Sequence, residues 1–149
     1  MTHCKEQRWL FQDLGQRKVE VDFGGGYLSS DGGGILLREL ERHSAVMREL
    51  ADCFVDHRDA RYVEHGVQEL LSQRLHGLML GYEDLNDHDH LRRDPLHALL
   101  CDKPDPLGEH RLQARDAGKA LAAHATLNRL ELSAEALDGR YRKIEAQPE

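Results

Sequence analysis

Apolar and polar positions follow two different periods along this chain. Lys18-Val19-Glu20-Val21-Asp22-Phe23 alternates strictly, with Val19, Val21 and Phe23 on one side, and predicts a half-buried strand. Gly24, Gly25 and Gly26 end it, and Tyr27-Leu28-Ser29 is expected to pair back as a short hairpin. Beyond this point the period is helical. Ser30-Asp31 offers an N-cap to a helix with Ile35, Leu36, Leu37 and Leu40 on its stripe. Ser44 offers one to a second helix carrying Val46, Leu50, Cys53 and Phe54. The clearest helix runs from Val63 to Met79, where Val63, Val67, Leu70, Leu71, Leu75, Leu78 and Met79 share one face. Gly81 closes it as a C-terminal glycine does. Arg74 lies at the edge of that face, so its guanidinium needs a carboxylate partner.

The second half is more punctuated. Asp94-Pro95 starts a helix, with the aspartate as cap and the proline at the first helical position, and Leu96, Leu99 and Leu100 form its apolar side. Pro104, Pro106 and Gly108 make 101–109 a loop. Arg111 to Ala123 is expected to be helical, which would gather Arg111, Arg115 and Lys119 into one basic stripe at i, i+4 and i+8. Thr126 is a cap for Leu127 to Leu132. Ser133 to Glu145 predicts a last amphipathic helix with Ala134, Leu137, Tyr141 and Ile144 on one side. The expected organisation is a flexible lead-in at 1–17, a helical region with a short β element at 18–132, and a C-terminal helix at 133–149. The fold class is mainly α, a helical module with a short N-terminal β-strand or hairpin.

Composition narrows the function classes. A chain of 149 residues can bury one real core. Charged residues make up 32% and the net charge is −7, so nucleic-acid binding requires the basic residues to be segregated. No stretch has the length of a membrane span, and Met1 to Lys5 has no signal-peptide pattern. Cys4, Cys53 and Cys101 are odd in number and far apart, which suits free thiols in a reducing cytoplasm. The glycine triplets at 24–26 and 32–34 complete neither dinucleotide nor phosphate-loop spacing and are turns.

The densest charge lies between the two best helices. Gly81 to Pro95 holds five carboxylates, two histidines and two arginines. One reading is structural: Asp87 caps a short helix, and Asp84 or Asp94 pairs with Arg92 or Arg74. Another is a helical metal-dependent phosphohydrolase of the His-Asp type using His57, His65, His88 and Asp89. On a helix His88 and His90 point about 200° apart and cannot share an ion. No nucleophile elbow, C-x-x-C or H-E-x-x-H occurs, so the residues themselves assemble no catalytic site.

Six motifs in fixed order carry a resemblance. They are Phe23-x-Gly25-Gly26-x-Leu28-Ser29-Ser30-Asp31-x-Gly33, Asp56-His57-Arg58-Asp59, Gln73-Arg74, Gly81-Tyr82-Glu83-Asp84-x-Asn86-Asp87, Leu91-Arg92-x-Asp94-Pro95 and Thr126-Leu127-Asn128-Arg129-Leu130-Glu131. Together, over roughly Val19 to Glu145, they resemble the N-terminal region of bacterial insertion-sequence transposases with a DDE catalytic domain of group 1 type. Gly24 stands where relatives usually carry Asp, and Ala123-His124-Ala125 replaces a segment that is often small-Lys-Ser, so the resemblance does not carry over a phosphate contact at that turn. The resemblance implies DNA cutting and rejoining by three carboxylates holding two Mg²⁺ ions on a ribonuclease-H-like sheet. That sheet is expected to be absent or not reached in this chain, making it a truncated or N-terminal part with no catalytic or metal-binding residues and no cofactor of its own. The implied partners are insertion-sequence ends, held weakly, and a second subunit, either a homodimer or a full transposase, in the cytoplasm and away from membranes. Tyr82, Glu83, Asp84, Asn86, Asp87, Arg92 and Asp94 then form a structural motif. DNA contacts are expected at Arg111, Arg115, Lys119 and Arg129, because Gly81 to His110 has eight acidic against three basic residues whereas Arg111 to Glu149 has six against seven.

Overall fold

A computed structural model describes residues 8–22, 31–131 and 143–147. The first element is a hairpin. Strand β1, Trp9–Leu14, pairs antiparallel with β2, Arg17–Val21, in the register Trp9↔Val21, Phe11↔Val19 and Leu14↔Arg17, with an irregularity between Phe11 and Leu14. The predicted strand is therefore present, but the lead-in expected to be flexible supplies its partner from Trp9 onward. Alternation at Val19 and Val21 shows that a strand exists and does not show what pairs with it. The apolar group Trp9-Leu10-Phe11 answers that, through the tight turn at Gly15-Gln16. The partner expected at Tyr27 to Ser29 lies outside the described residues, as do the first cap residue Ser30 and the segment Ala134 to Tyr141.

Helix α1, Gly34–Ser44, buries Gly34, Ile35 and Arg38, while Leu36 and Leu40 are 65% and 67% exposed. The helix exists but its buried face is rotated from the predicted stripe. The cause is Arg38, fully buried, whose Nε donates to Asp102 Oδ1 at 2.8 Å and whose Nη1 donates to the Gln12 carbonyl at 3.0 Å. A buried charge with partners displaces leucines from the core-facing side. Ser44 does not cap the next helix; it ends α1 and its hydroxyl donates back to the Glu41 carbonyl at 3.1 Å. Ala45, at φ 57°, makes the corner into α2, Val46–Asp52. The expected continuation through Phe54 is instead strand β3, Phe54–Asp56, antiparallel to β4, Ile144–Ala146, in the register Val55↔Glu145. Ile144 is thus fully buried in a strand where a helix was expected.

Helix α3, Val67–Met79, begins four residues later than predicted and crosses the middle of the molecule. Leu70 and Leu71 join Ala122, Leu127, Leu130 and Ile144 in the main core. The rest of its buried face is polar: Ser72, Gln73 and His76, with Leu78 and Met79 left 41% and 49% exposed. Gly81, at φ 95°, follows the helix as the left-handed residue that glycine favours. Short helices α4, His88–Leu91, and α5, Pro95–Leu100, follow, then α6, His124–Glu131.

The helix expected over Arg111 to Ala123 does not form. The segment is irregular, with bends, a 3-10 turn at Ala114–Asp116 and a further turn at Ala117–Gly118, and Ala120, Leu121 and Ala122 are all buried in succession. Their backbone is satisfied from elsewhere: Gln73 brackets Ala122, accepting its N–H at 3.0 Å and donating to its carbonyl at 2.9 Å, and Leu121 N–H donates to the Arg92 carbonyl at 3.3 Å. The described residues are mainly α, with two two-stranded sheets.

Candidate nucleic-acid interface

The central charged stretch is tied into the fold only in part, with Glu83, Asp84, Asn86, His90 and Arg93 exposed. Tyr82 donates its hydroxyl to Asp31 at 2.7 Å. Arg74 donates to the carbonyls of Tyr82 at 3.2 Å and Glu83 at 2.9 Å and pairs with the Glu131 carboxylate, the partner its position required. Asp84 accepts from Asn86 N–H at 2.9 Å and from its Nδ2 at 3.0 Å, which caps the 3-10 turn Leu85–Asp87; the Asp87 side chain makes no cap bond. Asp94 caps α5 through Leu96 N–H at 2.8 Å. Arg92 pairs with neither Asp84 nor Asp94 but with Asp116, at 2.7 Å. The two predicted partners are spent on backbone N–H groups of their own turns, and the 3-10 turn Ala114–Asp116 brings Asp116 to the guanidinium. Asp89 receives His124 N–H at 3.3 Å and its Nδ1 at 2.7 Å, which holds the first turn of α6.

Beneath this stretch His76, His88 and His97 are buried side by side with Gln73. His88 Nδ1 lies 3.2 Å from Gln73 Nε2, and its ring rests on Gly77, where an added Cβ would come within 2.8 Å of Cε1. Burial pushes the His88 imidazole down to about 4, with His97 adding to the effect, so it is a neutral core residue. The four proposed metal ligands do not assemble. His57 is exposed beside Glu145, His65 is bound to Glu69, His88 is interior, and Asp89 holds His124.

A different stretch, Asp56 to His65, builds an outward face. Asp56 and Asp59 each accept the N–H two residues on and the guanidinium of that residue. Arg58 Nη2 reaches Asp56 at 2.7 Å, and Arg61 Nη2 reaches Asp59 at 2.6 Å. Burial works upward on the Asp56 carboxyl, but the Arg58 hydrogen bonds hold it below the ordinary range; the Arg61 bonds do the same for Asp59. Arg58 also donates to the His65 carbonyl at 2.8 Å, which fixes the loop. Tyr62 is 75% exposed, with the Arg61 guanidinium 5.7 Å from its ring centroid.

A cavity of about 250 Å³ opens here, lined by Arg58, Tyr62, His65, Thr126, Arg129 and Lys143 among others. A second, of about 290 Å³, lies against it and includes Arg92, Arg111, Arg115 and Ala123; the two share Glu64, His65 and Thr126. Asp59 and Glu64 line the first cavity, and their charges are answered by Arg61 and by Arg111, whose Nη2 is 3.0 Å from Glu64. Asp56 answers Arg58. Arg129 and Lys143 are exposed and have no carboxylate within 4.0 Å among the described residues, so the rim carries surplus positive charge.

The residues predicted to touch DNA separate into two pairs. Arg111 turns inward, donating to the carbonyls of Lys119 at 2.6 Å and Ala120 at 2.8 Å as well as to Glu64. Lys119 donates to the Arg115 carbonyl at 2.6 Å and lies 3.7 Å from Asp116. Without the helix there is no basic stripe. Arg115, 82% exposed, and Arg129 remain on the rim. Sequence reasoning missed Arg61, Tyr62 and Lys143. A signal was present for the first two in the repeated Asp-x-Arg of Asp56 to Arg61, which is two successive side-chain-to-backbone turns.

The architecture is a helical module of negative overall charge that carries two exposed cations, Arg129 and Lys143, beside one cavity. The chain belongs to the transposase DDE domain group 1 family, whose model matches residues 11–147. No curated protein and no solved structure matches it. The divalent metal used in that family needs converging carboxylates. Among the described residues one group of potential ligands comes together, Asp105, Glu109 and His110, on an exposed loop. Two carboxylates and a histidine, with Asp105 already accepting His110 N–H at 2.7 Å, do not fit a three-carboxylate set for hard cations. No helix is long and apolar enough to cross a membrane.

Proposed function

We propose that this chain serves DNA transposition by holding insertion-sequence DNA on the rim formed by Arg115, Arg129 and Lys143, and that it does not cut or join strands by itself. The observation that carries this is the local charge balance: among the described residues the carboxylates lining the two cavities, Asp59, Glu64 and Asp116, each face an arginine, Arg115 lies 3.7 Å from the Asp116 already held by Arg92, and Arg129 and Lys143 have no carboxylate within 4.0 Å. Such contacts position a phosphate backbone and carry little sequence information. Asp84 and Asp94 are engaged as caps, so the Mg²⁺-dependent chemistry of the family falls to carboxylates outside the described residues. A full transposase subunit is the partner that would supply them, a second copy of this chain is the alternative assembly partner, and the setting is the cytoplasm.

Fluorescence anisotropy on duplex DNA across a salt series tests the reading. Three phosphate contacts give a slope of log K against log salt of roughly −2.7, so that raising salt from about 50 to about 200 mM weakens binding about 40-fold. Changing Arg115, Arg129 and Lys143 together to Ala is expected to abolish that slope, and an unchanged slope refutes the assignment. Incubation with end DNA and Mg²⁺ is expected to give no nicking. Metal-dependent nicking lost on Asp84→Asn or Asp94→Asn would overturn the non-catalytic reading.

A further inference from the structure

The rim has one feature that duplex backbone contacts do not use, the ring of Tyr62. It is the most exposed of the large apolar side chains described, and it stands in the wall of a cavity rather than on an open convex surface. Its position is set by rigid local bonds. The 3-10 turn Ala60–Tyr62 is capped by Asp59, which holds Arg61 by backbone and side chain, and Arg61 packs its guanidinium against the ring. Arg129 and Lys143 line the same cavity, and Thr126 lines both this cavity and the next. At about 250 Å³ the space is below the size usual for drug-like ligands and suits one planar group with a charged neighbour.

An exposed aromatic ring flanked by unpaired cations is the arrangement by which proteins hold unpaired nucleotides: the base stacks on the ring and the phosphates on either side meet the cations. A base inside a duplex is stacked on its neighbours and cannot reach such a ring without being extruded. We infer that this face selects DNA with an unpaired base, with Tyr62 as the stacking platform and Arg129 and Lys143 as the flanking phosphate contacts. The inference rests on the reading of the rim as a DNA-holding surface. It adds the form of DNA that the surface prefers, a single strand or a frayed duplex end.

The test compares three labelled DNAs of related sequence, a single strand, a blunt duplex, and the same duplex with a few unpaired nucleotides at one end. They are titrated with the whole chain and with Tyr62→Ala, Tyr62→Phe and the double variant Arg129→Ala/Lys143→Ala. Tyr62→Ala is expected to weaken binding of the single strand and the tailed duplex about 5- to 150-fold, and of the blunt duplex roughly twofold or less. Tyr62→Phe, which keeps the ring, is expected to restore the parent affinities. The double variant is expected to weaken all three. Tyr62→Ala losing affinity equally for the blunt duplex, or losing none, overturns the stacking inference while the salt-sensitive surface stands. Absence of binding by the parent to every DNA at low salt overturns both. Because Tyr62 is exposed, its substitution leaves the core intact, and the Phe variant checks this independently.

Discussion

Two stretches of this chain are equally crowded with charge and use it in opposite ways. Between Tyr82 and Asp94, Asp84 and Asp94 cap turns of their own, and Arg92 and Asp89 reach across to Asp116 and His124, while Glu83, Asp84 and Arg93 stay exposed. Between Asp56 and Arg61 each aspartate closes on an arginine two residues away, so the stretch is locally neutral and the cations beyond it dominate. Charge density by itself therefore distinguishes neither structure from function. What differs is the reach of the ion pairs: Arg92 and Asp89 tie distant elements together, whereas Asp56 and Asp59 neutralise arginines within their own turns.

The contrast is most exposed to acid. The central stretch rests on His88, which is neutral and buried with its pKa held at about 4 below an unfolded value near 6.5. The unfolded chain binds the proton more readily, so this stability is present above about pH 6.5 and is lost as pH falls towards 4. At about 1.4 kcal/mol per unit the loss reaches roughly 3 kcal/mol from His88 alone. His76 and His97, shifted the same way by burial, add to it. Urea unfolding at pH 7.5 and 5 measures the effect, and the salt slope of DNA binding at pH 7 is unaffected by it. A midpoint that does not move between the two pH values would show that the histidine cluster is not the interior hub described.

Single substitutions grade downward from there. Arg92→Ala leaves the half-buried Asp116 without its closest cation and is expected to cost about 2 kcal/mol in thermal or urea melts. Asp94→Ala removes a cap and is expected to cost about 1 kcal/mol. Arg129→Ala with Lys143→Ala, on the rim, is expected to change stability by less than about 0.5 kcal/mol while weakening DNA binding at low salt. If the rim variant melts as early as Arg92→Ala, the two stretches do the same work and the comparison fails.

Much of the fold could be read from residue order. The strand at Val19 and Val21, the long helix ending before Gly81, the cap at Asp94 and the carboxylate needed by Arg74 all follow from local periodicity, turn chemistry or the cost of an unpaired charge. Family membership was legible too, because six short motifs recur in order. The misses share one cause. Leu36 and Leu40 are exposed because Arg38 takes the buried face, and the non-helical 119–122 is bonded from distant parts of the chain, by Gln73 at Ala122, by the Arg92 carbonyl at Leu121 and by Arg111 at Lys119 and Ala120.

The sequence by itself determined which segments have a period, where they stop, and that the negative charge of the chain must be sorted for any anion to bind. Tertiary structure decided the partners: Trp9–Leu14 for β2, β4 for β3, Asp116 for Arg92, Glu64 for Arg111. The last of these converted a predicted DNA contact into an interior clamp and left Arg115, Arg129, Lys143 and Tyr62 on the rim. The physical reason is range. Periodicity, capping and turns are set within a few residues, whereas ion pairing and burial are set by proximity in space, which no local pattern encodes.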